Sequence, residues 1–267
     1  MWCRVDLEDA KGIADATRGA DAIIHLAAVS SVNAAYNDPL GCVRANITGT
    51  ANVLEAARSN GIKRVIFAST VWVYQAAGDG EGTEDASLCP GKVKHIYTGS
   101  KIAGEMLCNS YWQLYGVPFT ILRFGIPYGP GMRDELVIAR FIRRAMAGEP
   151  ITIQGNGEQY RSFVFVKDLA EGVVLSLADR AQNQVYNLEG AEPISILDIA
   201  RSLGKVLGGV KVEFQPARPG DFRGAPVSAE KALMDLYWRP RTSFVDGLRR
   251  TVAWYASLQE AVPSAAG

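Results

Sequence analysis

Short apolar runs alternate with longer amphipathic stretches over the first 148 residues. Ala22-Ile23-Ile24-His25-Leu26-Ala27, Val65-Ile66-Phe67-Ala68-Ser69 and Phe119-Thr120-Ile121-Leu122-Arg123 are compact, rich in β-branched residues and nearly continuously apolar. Strands covered on both faces read this way, so the three runs predict buried parallel strands. Residues 40–59, 97–115 and 135–147 carry apolar side chains at helical spacing, and Gly61, Gly116 and Gly148 stand where those helices would end. Such strand and helix alternation predicts a doubly wound parallel α/β sheet.

Past Gly148 the texture changes. Residues 151–153, 163–165, 185–188 and 210–214 predict shorter strands. Asp168-Leu169-Ala170-Glu171 and Ser195-Ile196-Leu197-Asp198 each put a side-chain acceptor first and an acid three residues on. That spacing predicts helix caps at Asp168 and Ser195, and it argues against a catalytic role for Asp168. The expected organisation is a sheet domain over 1–148, a smaller α/β lobe over 149–260 with some elements returning to the sheet, and a tail over 261–267.

Charge narrows the range of partners. Lys plus Arg and Asp plus Glu both number 28, for a formal net charge of zero, so neither a nucleic-acid footprint nor a polybasic membrane patch is expected. The four cysteines, Cys3, Cys42, Cys89 and Cys108, show no Cys-x-x-Cys spacing and predict reduced thiols in a cytoplasmic protein. With His25 and His95 as the two histidines, no metal-ligand cluster is spelled out, and both are expected to be structural or loop residues. No apolar run is long enough to cross a bilayer, and no basic-then-apolar leader follows Met1.

The candidate chemistry lies in Thr70, Tyr97 and Lys101. Arg64-Val65-Ile66-Phe67-Ala68-Ser69-Thr70 ends a strand on a hydroxyl, where open parallel sheets place ligand-binding groups. After a loop rich in Gly and Asp, Tyr97-Thr98-Gly99-Ser100-Lys101 opens a helix, which puts Tyr97 and Lys101 one turn apart on one face. An ammonium near a phenol favours the ionised form, and lowering a phenol from about 10 by two or three units brings it within working range of neutral pH. A tyrosine tuned in this way is a general base for removing a proton from an alcohol as a hydride leaves the same carbon.

With those residues in view, the chain resembles the extended short-chain dehydrogenase/reductases, specifically the NAD-dependent epimerase/dehydratase family that acts on nucleotide sugars. The resemblance runs through Asp6-Leu7-Glu8-Asp9, His25-Leu26-Ala27-Ala28, Asn46-Ile47-Thr48-Gly49-Thr50, Phe67-Ala68-Ser69-Thr70, Tyr97 to Lys101, Tyr128-Gly129-Pro130-Gly131, Arg161 to Asp168 and Arg218-Pro219-Gly220-Asp221. It implies a Rossmann-type fold and NAD as cofactor, with NADP not excluded. Tyr97 is then the base, Lys101 lowers its pKa and binds ribose, and Thr70 bonds the reacting hydroxyl. Leu26, Ala27, Ala28, Asn46 and Ser69 match positions bordering the dinucleotide, and Phe124 and Pro127 match contacts to its nicotinamide half. Arg161 and Arg218 match residues that hold a nucleotide-sugar pyrophosphate, Asp221 a ribose or base contact, and Trp72 a position facing the substrate. The helices over 40–59 and 97–115 match a pair that forms a dimer bundle, so a homodimer is implied.

Departures from the family pattern are equally informative. The family opens on a strand and Gly-x-x-Gly-x-x-Gly, a motif not found in these 267 residues, and Met1 aligns with the third strand. On the order of 50 residues are unmatched, which implies an open edge at 22–27, no strand partner for Trp2 to Val5, and poor dinucleotide binding. Trp72 replaces an acid that dehydratases use for proton transfer, which disfavours dehydration, and Ile126 stands where binders of UDP-sugars often have Asn. The leading expectation is a nucleotide-sugar epimerase with transient hydride transfer. A keto-sugar or carbonyl reductase using the same residues is the second, and a binding or oligomeric protein without activity is the third.

Overall fold

The computed structural model describes residues 2–76, 81–216 and 226–260. In chain order, α1 (Ala10–Ala16), β1 (Ala22–His25), α2 (Val32–Asn37) and α3 (Pro39–Val43) come first, and a π-helical turn (Arg44–Thr48) joins α3 to α4 (Gly49–Asn60). After β2 (Arg64–Thr70) and a tight turn of 3-10 helix (Val71–Ala76) come α5 (Ile96–Tyr115), β3 (Phe119–Phe124), β4 (Ile126–Tyr128), α6 (Val137–Met146) and β5 (Ile151–Gln154). Then follow β6 (Tyr160–Phe165), α7 (Val166–Leu175), β7 (Gln184–Leu188), β8 (Pro193–Ser195), α8 (Ile196–Leu207), β9 (Val212–Gln215), α9 (Glu230–Leu236) and α10 (Phe244–Glu260).

The chain divides into two compact units. The first takes the described parts of Met1–Phe124 with Gly172–Leu188 and Pro226–Trp238; the second takes Gly125–Glu171 and the described parts of Glu189–Ala225 and Arg239–Gly267.

The first unit is built on a sheet of order β1-β2-β3-β7 in which every neighbouring pair is parallel. This is the doubly wound α/β arrangement that the apolar pattern predicted. All of β2 is buried, which explains why its sequence does not alternate. The register sets Thr70 opposite Phe124 and Phe124 opposite Leu188, so β2, β3 and β7 end level with one another. Below them, Leu54, Phe67, Cys108, Phe119 and Ile121 form one core with Ile13 and Val53. Helix α5 lies close on β2 because residue 104 is Gly: a Cβ there would strike the Phe67 ring. Gly61 and Gly116 cap α4 and α5 in the left-handed region, at φ 65° and 67°, as their positions in the sequence predicted.

β1 forms one edge of this sheet, and Ile24 on it is 43% exposed. It stops at His25 rather than running to Ala27, because the chain beyond turns to meet Asn46 at Val29. Trp2 to Val5 take no strand conformation.

The second unit carries two small sheets, β4-β6-β8 and β5-β9. Its core gathers Tyr128, Phe163, Phe165 and Phe244, with the Tyr128 and Phe244 centroids 5.2 Å apart, among Ile138, Ile142, Ile199 and Leu248. Ser195 caps α8 in a capping box with Asp198, as expected. Asp168 does not cap its helix. α7 starts two residues earlier, at Val166, and the buried Asp168 carboxylate instead accepts from Arg241 N, Thr242 N and Thr242 Oγ1 at 3.1, 2.9 and 2.9 Å. The spacing was right for a cap, but the backbone N–H groups of residues 241 and 242, just ahead of α10, claimed the acceptor. Among the described residues, no helix is long and apolar enough to cross a membrane.

Candidate active site

Thr70, Tyr97 and Lys101 all fall in the first unit, at the C-terminal end of β2 and the first turns of α5. Thr70 is the last residue of β2 and is buried, with its Oγ1 accepting from Trp72 N at 3.3 Å. Tyr97 is the second residue of α5, and Lys101 lies one turn further along the same face.

Lys101 crosses back to the strand. Its Nζ donates to Ala68 O at 2.8 Å and stands 5.1 Å from the centre of the Phe67 ring. The side chain is 5% exposed, and burial pulls its pKa down to about 8, against the opposing pull of Cys42 and Glu105. A cation is thereby held two residues short of Thr70, on the helix that carries Tyr97.

Behind this edge runs a chain of buried hydrogen bonds that the sequence reading had not foreseen. The π-helical turn over Arg44–Thr48 brings Asn46 inward, where its Oδ1 accepts from Val29 N at 2.7 Å and its Nδ2 donates to Val29 O and Ser100 Oγ, both at 2.9 Å. Ser100 Oγ in turn donates to Tyr97 O at 2.7 Å. The loop holding Leu26, Ala27 and Ala28 is thus tied to the first turn of α5. The turn also leaves Asn46 O to accept from Thr50 Oγ1 at 2.6 Å; Thr50 Oγ1, its proton spent, accepts from His25 Nε2 at 3.0 Å. His25 is a neutral structural residue: burial, then the nearby Lys101, holds its pKa down at about 4.

Ser69, on the face of β2 that carries Phe67, meets α5 and donates to Glu105 Oε1 at 2.5 Å. Glu105 holds Arg123 through two bonds of 3.0 and 2.8 Å, and Arg123 donates to Tyr74 Oη at 2.9 Å. Both charges are more than nine-tenths buried, so each depends on the other. Phe124 is partly exposed at the end of β3.

Two further predicted residues belong to the second unit. Pro127 sits on β4, and Arg161 on β6 opposite Ile194 of β8. Both line a cavity of about 290 Å³ together with Ile126, Phe141, Gln154 and Gln159. Ile126, Phe141 and Pro127 give it apolar walls; the amides and the guanidinium give it polar ones. Arg161 Nη1 donates to Tyr160 O at 2.6 Å. Arg218 and Asp221 lie outside the described residues.

Two groups beyond the Asn46 chain were missed. His95, read as a loop residue, precedes α5 and meets Trp72 edge to face, with ring centroids 6.2 Å apart. Glu189 is buried at the end of β7. An acid straight after an apolar strand was the signal available for Glu189.

A parallel sheet of order β1-β2-β3-β7 flanked by helices defines a Rossmann-type α/β protein. The family model described as NAD dependent epimerase/dehydratase matches residues 1–188. A UDP-glucuronate 4-epimerase of Thermodesulfobacterium geofontis is 35% identical over 243 residues, 89% of this chain and 73% of that protein. Among solved structures, UDP-glucose 4-epimerase of Thermotoga maritima with UDP-glucose superposes at TM-score 0.88 and 26% identity, covering 97% of this chain and 85% of that one. UDP-glucuronic acid 4-epimerase of Bacillus cereus, in complex with UDP-glucuronic acid and NAD, gives 0.86 and 30%, covering 96% and 81%. The chain belongs to the NAD dependent epimerase/dehydratase family.

Proposed function

We propose that this chain is a nucleotide-sugar epimerase acting on a UDP-linked sugar, with Tyr97 as acid and base, Thr70 as hydrogen-bond partner of the reacting hydroxyl, and Lys101 as the cation that tunes Tyr97. The observation that carries the reading is the buried Lys101 ammonium on Ala68 O, which ties α5, one turn beyond Tyr97, to the end of β2. The similarity to epimerases of UDP-glucose and UDP-glucuronate supports the choice of reaction.

NAD suits the residues present at this edge. Lys101 has two further N–H donors for ribose hydroxyls, and the segment of Leu26, Ala27 and Ala28 leads into Val29, whose backbone Asn46 holds. Asn46, Ser69, Phe124 and Pro127 complete the proposed dinucleotide contacts. When bound, NAD supplies reversible hydride uptake. The protein's own part is to move a proton. Tyr97 Oη takes it from the sugar hydroxyl and returns it after the ring has turned over, so neither proton nor hydride is consumed. Thr70 Oγ1 orients the oxygen, and Lys101 keeps the phenolate stable while it holds no proton.

Arg161 is proposed to bind the pyrophosphate, matching guanidinium to phosphate oxygens, with Arg218 and Asp221 as further substrate contacts. In this reading residues 1–148 mainly serve the dinucleotide and 149–260 the substrate. A homodimer is proposed through the exposed Leu40 of α3 and the exposed Met106 and Leu114 of α5, helices that pack on each other within the first unit. The free thiols, Cys42 and Cys108 buried among them, support a cytoplasmic setting.

The experiment is to incubate the protein with NAD and UDP-glucose or UDP-glucuronate and to follow the sugar by NMR. An equilibrium mixture of two epimers, without NADH accumulating, is expected. Net production of NADH, or binding of the nucleotide sugar without any inversion, would refute the epimerase reading.

A further inference from the structure

Two aromatic side chains meet at the mouth of β2 without joining the apolar cluster beside them. Trp72 lies two residues past Thr70, and its backbone N–H donates to the Thr70 hydroxyl at 3.3 Å. His95 stands immediately before α5, two residues ahead of Tyr97. Their ring centroids are 6.2 Å apart, with the planes at 68°. This edge-to-face contact joins the segment that carries Thr70 to the segment that carries Tyr97 and Lys101.

The surroundings show that neither ring is there to fill the core. Val73, Tyr74 and Ile102 are buried in one cluster, with Val71, Leu88 and Val93 packed on it, and Trp72 is not a member. Both Trp72 and His95 remain partly exposed. An indole left partly in water, at the end of a strand where ligands bind, costs apolar exposure that a ligand would relieve.

The chemistry of the two rings fits one kind of ligand. A pyranose presents C–H bonds on its faces and hydroxyls around its rim. An indole face receives the C–H surface, and an imidazole offers a donor and an acceptor to the hydroxyls. We propose that Trp72 and His95 together form the platform for the hexopyranose ring of the nucleotide sugar, a specificity-determining pair beside the reacting carbon; the inference rests on the nucleotide-sugar reading above. The pair selects and holds the ring, and proton transfer stays with Tyr97. An acid at position 72 would bind a sugar through charge and hydrogen bonds alone; the indole instead favours an unbranched ring with an uninterrupted C–H face.

UDP-glucose carries the sugar on the terminal phosphate that UDP leaves free, so the change each variant makes in the difference between the two, read by calorimetry, isolates the sugar's contribution. The full chain is compared with Trp72→Ala, Trp72→Phe, His95→Ala and His95→Gln. Trp72→Ala is expected to weaken UDP-glucose roughly tenfold, about 1.4 kcal/mol, and to leave UDP unchanged. Trp72→Phe, which keeps an aromatic face, should retain most of the affinity. His95→Ala should lose several-fold for UDP-glucose alone, and His95→Gln, which can still donate and accept, should recover part of it. If the alanine variants weaken both ligands equally, or neither, the platform is refuted while the nucleotide-sugar reading stands. A parent protein that binds neither ligand overturns the reading, and the platform with it.

Discussion

Changing Glu189 to Gln should alter the pH dependence of stability in a way that the burial of one carboxyl dictates. Glu189 is 4% exposed, accepts a single backbone N–H from Gly190 at 3.1 Å, and fills the space that a side chain at Gly125 would occupy. Burial raises its pKa from 4.5 to about 8, against the weaker opposite effect of the Gly190 bond. The folded protein therefore keeps a proton that the unfolded chain releases above about 4.5. Stability falls as pH rises through that window and levels off past about 8. At about 1.4 kcal/mol for each tenfold step, the full cost is roughly 4–5 kcal/mol, of which roughly 2–3 kcal/mol falls between pH 5 and pH 7. His25 works in the other direction. Its folded pKa, about 4 against 6.5, means that the unfolded chain binds the extra proton, so stability rises with pH up to about 6.5. Between pH 5 and 7 the two contributions largely offset each other in the parent protein, and only a difference between variant and parent separates them. Urea unfolding of both proteins at several pH values from 5 to 9 is the assay. The stability gained by Glu189→Gln should grow from under about 1 kcal/mol near pH 5 to roughly 4 kcal/mol near pH 8.5, above any constant offset from the amide. A gain that stays flat across this range refutes the buried, protonated carboxyl.

Four further outcomes follow. Lys101→Met should lower kcat/KM for a UDP-sugar roughly 10²-fold or more while UDP binding by calorimetry is unchanged. Because Lys101 titrates at about 8, kcat/KM of the parent should fall as pH rises past that value, and Lys101→Arg should remove this limb from the profile. Glu105→Gln breaks the buried pair with Arg123 and should cost about 3–5 kcal/mol in urea unfolding, an effect that Glu105→Leu combined with Arg123→Met should largely reverse. Asn46→Ala removes the links to Val29 and Ser100 and should weaken NAD binding more than UDP binding, with Asn46→Asp restoring less than half because it lacks the two donors.

Local chemistry already settled much of this molecule. The strands β2 and β3 are legible because a central parallel strand is buried on both faces, so every residue of 64–70 has to suit a core. Gly61 and Gly116 mark helix ends because the left-handed cap admits glycine most easily. The Tyr97 and Lys101 pair is legible because helical geometry alone sets residues four apart on one face.

Other features depend on neighbours that are distant in sequence. Asp168 and Ser195 carry the same cap spacing, yet only Ser195 caps its helix, because residues 241 and 242 come to Asp168 from more than 70 positions away. The link from Lys101 to Ala68 spans 33 residues, and the one from Asn46 to Ser100 spans 54. Neither has a signature in the local pattern, since Lys, Asn and Ser are ordinary on a helix surface, and their burial follows only from where the sheet packs. The meeting of Trp72 with His95 is of the same kind. Sequence by itself determined the strands, the helix ends and the placing of Tyr97 and Lys101 one turn apart on one helix, because those rest on interactions within a few residues. Which polar groups would be buried, which would be paired, and which rings would be left at the edge was decided by the tertiary structure, because desolvation depends on the whole set of surrounding atoms.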